Sequence, residues 1–128
     1  IDDKIWEKTI LNAALSGVCA LTSKTMKEVM DFPQTAVIVG SIIEESVRVA
    51  NAEGIEFDNK FARSSMRYLK KAGYHKPSML VDIESGSITE IAYLNGKIES
   101  YGFKHYIPTP INSTVTALIR LIEADNSK

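Results

Sequence analysis

Apolar residues recur at helical spacing along most of this chain. Between positions 5 and 21, steps of three and four residues join Trp6, Ile10, Ala13 and Gly17, which is typical of one helical face. After Pro33 the same spacing joins Ala36, Val39, Ile43, Val47 and Ala50, whereas the charged residues fall elsewhere on that helix: Glu44, Glu45 and Arg48. The pattern predicts two long helices that each bury one face.

Helix-end signals divide the rest of the chain into further helices. Gly54 is predicted to end the second long helix, and Asp58 is predicted to be the N-cap of a third helix that ends at Gly73. Thr109-Pro110 predicts a cap and a first-turn proline for a final amphipathic helix. Shorter helices are predicted at 26–30, 79–84, about 89–94 and 96 to about 105. Strand-like alternation is rare, so the chain is predicted to be all-α.

Composition narrows the classes of function. One domain is expected from 128 residues, and a formal net charge of -1 argues against general attraction to nucleic acid or an anionic membrane. No apolar run approaches the ~20 residues that span a bilayer, and no signal peptide opens the chain. Cys19 is the only cysteine and is expected to pack as a small hydrophobic residue. His75 and His105 are too isolated to predict a metal site, and a reducing cytoplasm fits best.

Lys8, Asn12 and Ser16 form a polar strip on a helix that is otherwise apolar nearly all round. The three residues are four positions apart, so each is displaced by only ~40° around the helix from the last. Such a strip fits a cleft, where a lysine can donate a proton and an asparagine can orient a carboxylate or a hydroxyl. It also fits a solvated lysine beside an asparagine on an ordinary surface helix.

Three other polar features have structural explanations of their own. Ser78 could cap the short helix that follows it. Ser87-Ile88-Thr89-Glu90 fits a capping box, in which the glutamate bonds back to the cap. Lys70 and Lys71 fit a solvated helix face, although one of them could contact another domain or a dimer partner. The pattern alone leaves these alternatives open.

Four segments of the chain are similar to a known family. They are Trp6-Glu7-Lys8-Thr9-Ile10-Leu11-Asn12, Gly73-Tyr74-His75-Lys76-Pro77-Ser78-Met79-Leu80-Val81-Asp82, Thr89-Glu90-Ile91 and Ile107-Pro108-Thr109-Pro110-Ile111-Asn112. Together they resemble the substrate domain of the 2-dehydropantoate 2-reductases, also called ketopantoate reductases. The resemblance covers nearly the whole chain.

The resemblance implies an architecture and a reaction. Residues 1–128 would form a C-terminal, all-helical substrate domain of the type shared with 6-phosphogluconate dehydrogenase-like enzymes. The implied reaction is reduction of 2-dehydropantoate to pantoate with NADPH, in pantothenate and coenzyme A biosynthesis. This chain contains no G-x-G-x-x-G turn, so an N-terminal Rossmann domain outside it is expected to bind most of the cofactor. The chain alone is therefore expected to be inactive.

The resemblance also implies roles for five residues. Lys8 matches the general acid that protonates the carbonyl oxygen, and Asn12 matches an asparagine that contacts the substrate. Ser16 stands where the family often has another asparagine, and its shorter side chain is expected to bind substrate as well. Ser78 matches a serine that binds the substrate carboxylate. Glu90 matches a glutamate that meets the cofactor ribose or a substrate hydroxyl and helps to position the lysine.

Departures from the family pattern support alternative functions. Ser16, Ser87 and Ala92 stand where the family commonly has asparagine, arginine and aspartate. A reductase of a different 2-keto acid, with the same architecture, would account for them. A helical dimerisation module without a catalytic task would equally account for the apolar faces, and a homodimer is one partner that the sequence allows.

Overall fold

Helices make up all the regular structure in residues 3–126, the part of the chain that this computed structural model describes. The elements are α1 (Asp3–Thr22), α2 (Met26–Asp31), α3 (Pro33–Ala52), α4 (Phe61–Lys70), α5 (Ser78–Glu84), a 3₁₀ helix (Ile91–Tyr93), α6 (Asn95–Lys104) and α7 (Pro110–Asn126). The all-α prediction is confirmed. Most predicted boundaries agree within about two residues, except that α4 ends three residues before the predicted Gly73.

The central helix is α1, which packs against α2, α3, α5, α6 and α7. Its predicted inward face is confirmed, because the four residues of that face are all buried: Trp6, Ile10, Ala13 and Gly17. The ring of Trp6 meets Tyr101 of α6 edge-on, with ring centroids 5.4 Å apart. A Cβ atom on Gly17 would overlap Cγ1 of Val115, so glycine permits the close approach of α1 and α7.

A buried polar junction, made of Glu45, Ser46, Asn95 and Asn112, joins α3, α6 and α7. The carboxyl oxygens of Glu45 accept the backbone N–H groups of Ile111 (2.9 Å) and Asn112 (3.0 Å). Asn112 Nδ2 also donates to Glu45 (3.0 Å), and Asn95 Nδ2 donates to Asn112 Oδ1 (3.0 Å). The prediction that Glu45 lies off the buried face is wrong, because it caps N–H groups at the start of α7 that lack helical partners.

The start of α7 therefore combines a local and a distant cap. Pro110 is the first residue of α7, as the Thr109-Pro110 pair predicted. The hydroxyl of Thr109 lies 3.1 Å from that of Ser113, one turn further on. The next two backbone N–H groups after Pro110 bond to Glu45 of α3, so a neighbouring helix supplies the acceptor there.

Other helix ends follow their local sequence in part. Gly54 has a φ of 89° directly after the C-cap of α3, which confirms it as the residue that ends this helix. α2 begins with a capping box between Thr25 and Glu28 that sequence analysis did not identify. Asp58 is not the N-cap of α4. Its side chain accepts the N–H of Lys60 (2.8 Å) in the turn before the helix.

The capping box that Ser87 and Glu90 offered as a structural alternative does not form. Glu90 directly precedes the 3₁₀ helix and its side chain makes no capping hydrogen bond, whereas the hydroxyl of Thr89 accepts the N–H of Ile91 (3.1 Å). Tertiary contacts explain the difference, because the backbone N–H and the hydroxyl of Thr89 both donate to Glu123 of α7 (2.7 and 2.6 Å). Ser78 is the first residue of α5 and not its N-cap.

The cysteine is unsuited to nucleophilic chemistry. Cys19 is buried in α1, and burial raises the pKa of its thiol to about 12, with a smaller contribution from the carboxyl of Glu28.

Within residues 3–126 there is no cluster of three or more His, Cys, Asp or Glu side chains that could hold a metal ion. Among the same residues, no helix is both long and apolar enough to cross a membrane.

Candidate functional site

An open groove of about 550 Å³ runs between α1 and the C-terminal end of α4. One wall is formed by α1, through Lys4, Glu7, Lys8, Leu11, Asn12, Leu15 and Ser16. The other wall is formed by Tyr68, Leu69, Lys71 and Ala72, and Met26 of α2 completes the lining. Because α2 packs against both α1 and α4, it fixes the position of the two walls.

The polar strip of α1 lines this groove. Lys8 and Asn12 are exposed, and Ser16 is 9% exposed. None of the three side chains has a hydrogen-bond or ion-pair partner among residues 3–126. The structure therefore brings Lys8, Asn12 and Ser16 together on one concave surface, with their polar groups free to contact a bound molecule.

The groove carries an excess of positive charge. Its lining contains three lysines and a single carboxylate, that of Glu7: the lysines are Lys4, Lys8 and Lys71. Three lysines elsewhere in the described chain pair with carboxylates at 2.9 to 3.1 Å, namely Lys27, Lys76 and Lys104, whereas Lys24, Lys60, Lys70 and Lys97 have no such pair. The groove lysines have no carboxylate within that range among residues 3–126. Positive charge of this kind favours an anionic ligand.

Ser78 and Glu90 lie outside the groove lining. Ser78 opens α5, Glu90 precedes the 3₁₀ helix, and both are exposed. Both elements pack against α1. Neither side chain is paired within the part of the chain that the structure describes. The structure thus leaves these two residues on surface next to α1 and does not bring them into the groove.

Sequence analysis did not identify Tyr68 and Lys71 as groove residues. Lys71 is the C-cap of α4 and lines the groove, whereas Lys70 lines a separate depression together with Met66. The sequence offers no signal that distinguishes two consecutive lysines. The orientation of α4 relative to α1 distinguishes them, and it depends on tertiary packing.

Comparison with known families identifies the whole chain with one of them. The family model described as "Ketopantoate reductase PanE/ApbA C terminal" matches residues 1–123. The chain belongs to the ketopantoate reductase family. The resemblance inferred from the four sequence segments is therefore confirmed.

Curated relatives carry the same family name. A 2-dehydropantoate 2-reductase of Streptococcus pyogenes serotype M3 is 34% identical over 122 residues, which are 94% of this chain and 40% of the relative. A 2-dehydropantoate 2-reductase of Archaeoglobus fulgidus is 30% identical over 125 residues, which are 97% of this chain and 42% of the relative. The chain thus spans about two-fifths of the length of these relatives.

Solved structures with similar sequences share the fold. A PanE/ApbA family ketopantoate reductase from Ralstonia eutropha superposes with a TM-score of 0.89 at 30% identity, over 96% of this chain and 41% of that one. A D-mandelate dehydrogenase, solved with NADH and anilino(oxo)acetate, superposes with a TM-score of 0.87 at 28% identity, over 96% of this chain and 41% of that one. The all-helical fold thus occurs in relatives with two different names.

Proposed function

We propose that this chain is the substrate domain of a reductase that converts 2-dehydropantoate to pantoate with NADPH. Family membership supports the proposal, and the observation that carries it is the groove. Lys8, Asn12 and Ser16 present unpaired polar groups there, beside lysines without carboxylate partners. A 2-keto acid carries a carbonyl and a carboxylate, which together match hydrogen-bond donors in a cationic groove.

Lys8 is the general acid in this proposal. Its ammonium has three N–H donors, so it can bind the carbonyl oxygen and transfer a proton to it as the adjacent carbon is reduced. Asn12 and Ser16 follow at intervals of one turn, which places the strip along roughly 12 Å of α1. Their amide and hydroxyl groups hold the keto acid in register with Lys8.

Ser78 and Glu90 complete the proposed site from the adjoining surface. The hydroxyl of Ser78 is proposed to bind the substrate carboxylate. The carboxyl of Glu90 is proposed to accept a hydrogen bond from the cofactor ribose or from a substrate hydroxyl, and so to help orient the substrate toward Lys8. The exposure of both side chains and their lack of partners within residues 3–126 support these roles.

The residues of this chain do not form a dinucleotide-binding site of the usual kind. The sequence contains no G-x-G-x-x-G turn, and residues 3–126 contain no strand that could precede one. We therefore propose that an N-terminal Rossmann domain of the complete protein holds NADPH, which supplies the hydride when bound. This chain then supplies substrate binding and the proton.

A second candidate is reduction of a bulkier 2-keto acid. The similarity to a D-mandelate dehydrogenase supports it, as does Ser16, which is shorter than the asparagine common in the family. The groove wall from Lys4 to Ser16 spans roughly 18 Å of helix, which is longer than a small branched keto acid needs. The two candidates share the reaction and differ in the substrate side chain.

A substrate panel on the full-length protein tests the proposal. Steady-state oxidation of NADPH would be measured with ketopantoate, 2-ketoisovalerate and phenylglyoxylate, and repeated with NADH. We expect ketopantoate to give the highest kcat/KM by about 10-fold or more, since its hydroxyl adds one polar contact. A preference for phenylglyoxylate would select the second candidate. Absence of turnover with every 2-keto acid would contradict both.

A further inference from the structure

We propose that Lys71 is a further substrate-binding residue, whose ammonium binds the carboxylate of the 2-keto acid together with the hydroxyl of Ser78. The proposal rests on the function proposed above and adds a residue that the family resemblance did not include. Lys71 lies on the wall of the groove formed by the end of α4, whereas Lys8 lies on the wall formed by α1. The two lysines therefore line the groove from opposite walls, and a substrate between the walls is proposed to contact both.

The backbone that carries Lys71 is held in place. Its N–H group bonds to the carbonyl of Tyr68 (3.2 Å), which closes the last turn of α4. Just beyond it, the carbonyl of Gly73 accepts the N–H of Lys27 (3.1 Å) in the first turn of α2. Because α2 also packs against α1, these bonds fix the position of Lys71 relative to the polar strip.

The reaction itself calls for a second cation near Lys8. The carbonyl and carboxylate carbons of a 2-keto acid are directly bonded, so both groups occupy the same few ångströms of the groove. When Lys8 transfers its proton it becomes neutral, and the substrate carboxylate keeps its negative charge. A second ammonium that takes no part in proton transfer compensates that charge throughout the reaction.

Among the groove lysines, Lys71 is the best placed for this task. Lys4 is on the same wall as Lys8, and Glu7 lies three residues from it on the helix surface, where opposite charges offset each other. Lys71 has no carboxylate on its own wall of the groove. Lys70 has the same charge and adjoins Lys71 in sequence, but it lines a different depression. It therefore provides a matched control.

The test uses the full-length protein with three substitutions, Lys71→Gln, Lys71→Arg and Lys70→Gln. The KM and kcat for ketopantoate would be measured, together with the Kd for oxamate, an unreactive mimic of a 2-keto acid, by calorimetry. Lys71→Gln is expected to raise KM and Kd about 10-fold, the usual worth of one charge-assisted hydrogen bond, with kcat within about threefold of wild type. Lys71→Arg and Lys70→Gln are expected to stay near wild-type values.

The possible results distinguish the role of Lys71 from the proposed reductase function. Unchanged KM and Kd in Lys71→Gln would overturn the role of Lys71 while leaving the reductase function standing. An equal effect from Lys70→Gln, or a loss confined to NADPH affinity, would overturn it as well. Oxamate binding that depends on Lys71, without turnover of any 2-keto acid, would support the anion site and refute the proposed function. A protein that neither binds oxamate nor reduces a keto acid would refute both.

Discussion

The polar junction and the polar strip differ in how their hydrogen-bonding groups are used. In the junction, Glu45, Asn95 and Asn112 are buried, and their side chains bond to one another and to the backbone at about 3.0 Å. In the groove, Lys8 and Asn12 are exposed and unpaired within the described residues. Buried polar groups need partners, and apart from Oδ1 of Asn95 the side-chain groups of the junction have them, so the junction stabilises the helix arrangement. The polar side chains of the strip make no hydrogen bond within the described residues, so they do not hold the helices together.

This contrast separates two kinds of substitution. Changes in the junction should lower the free energy of unfolding, because they leave buried groups without partners. Changes in the strip should lower activity with little effect on unfolding, because no bond within the described residues is lost. The substitutions below test each side of the contrast with a matched control.

The largest effect is expected for Lys8→Ala in the full-length protein. If Lys8 delivers the proton, kcat with ketopantoate should fall by roughly 10²- to 10⁴-fold. The melting temperature should change little, because truncating an exposed lysine opens no cavity in the core. Lys8→Arg should restore little activity, since a guanidinium does not release its proton at neutral pH. NADPH oxidation at saturating ketopantoate would measure the rate, and thermal melts would measure the melting temperature. Collapse of the fold in Lys8→Ala would contradict the assignment of Lys8 as the general acid.

Glu45→Ala should have the largest effect on stability. It removes the acceptor for two backbone N–H groups at the start of α7 and for the side chain of Asn112. Loss of a helix cap together with buried unpaired donors should cost about 3 kcal/mol. The control is Glu44→Ala, which changes the preceding, exposed residue of α3 and should stay within about 0.5 kcal/mol of wild type. Equal urea midpoints for the two variants would refute the role of Glu45 as a cap of α7.

A smaller effect is expected where α1 crosses α7. Gly17→Ala should lower the free energy of unfolding by about 1–3 kcal/mol, because the added methyl group overlaps Val115. Gly40→Ala is the matched control in α3, where the nearest atoms, in Met66, are 3.8 Å from a Cβ. It should stabilise the helix by about 0.5–1 kcal/mol. If urea denaturation showed that both variants change the free energy of unfolding in the same direction, the close approach of α1 and α7 at Gly17 would be contradicted.

The smallest effect concerns an ion pair at the protein surface. Hydrogen bonds from His105 and then from Lys104 hold the pKa of Glu53 below its ordinary value of 4.5. A lowered pKa in the folded state stabilises the protein above about pH 4.5, and this contribution is lost as the pH falls through the lowered pKa. The free energies of unfolding of wild type and Glu53→Gln should thus differ at about pH 6, and the difference should shrink as the pH falls below about 4.5. Glu56→Gln, at an exposed position nearby that makes no ion pair among residues 3–126, should stay within about 0.5 kcal/mol of wild type at pH 6.

Local sequence patterns predicted most of the fold. The spacing of Trp6, Ile10, Ala13 and Gly17 identified the buried face of α1, and Gly54 identified the end of α3. These features depend on residues within one or two turns of each other, so the sequence contains them directly. The polar strip was predictable for the same reason, since Lys8, Asn12 and Ser16 lie about one turn apart on one helix.

Features that depend on distant segments were not predictable. Glu45 meets Asn112 across 67 positions of sequence, and Thr89 meets Glu123 across 34. Helical spacing alone placed Glu45 off the buried face, and a local motif offered Glu90 a capping role that the structure does not show, because Thr89 bonds to Glu123 there. Lys71 could not be separated from Lys70 for the same reason. The roles of Ser78 and Glu90 in the site stay predictions.

The most direct test of the account is whether ketopantoate binds in the groove. Full-length protein labelled with ¹⁵N at lysine would be titrated with ketopantoate, and the backbone amide resonances would be followed. The account predicts that the resonances of Lys8 and Lys71 shift with a common Kd, while that of Lys104, which pairs with Glu53, does not. A shift at Lys104 with none at Lys8 and Lys71 would contradict it.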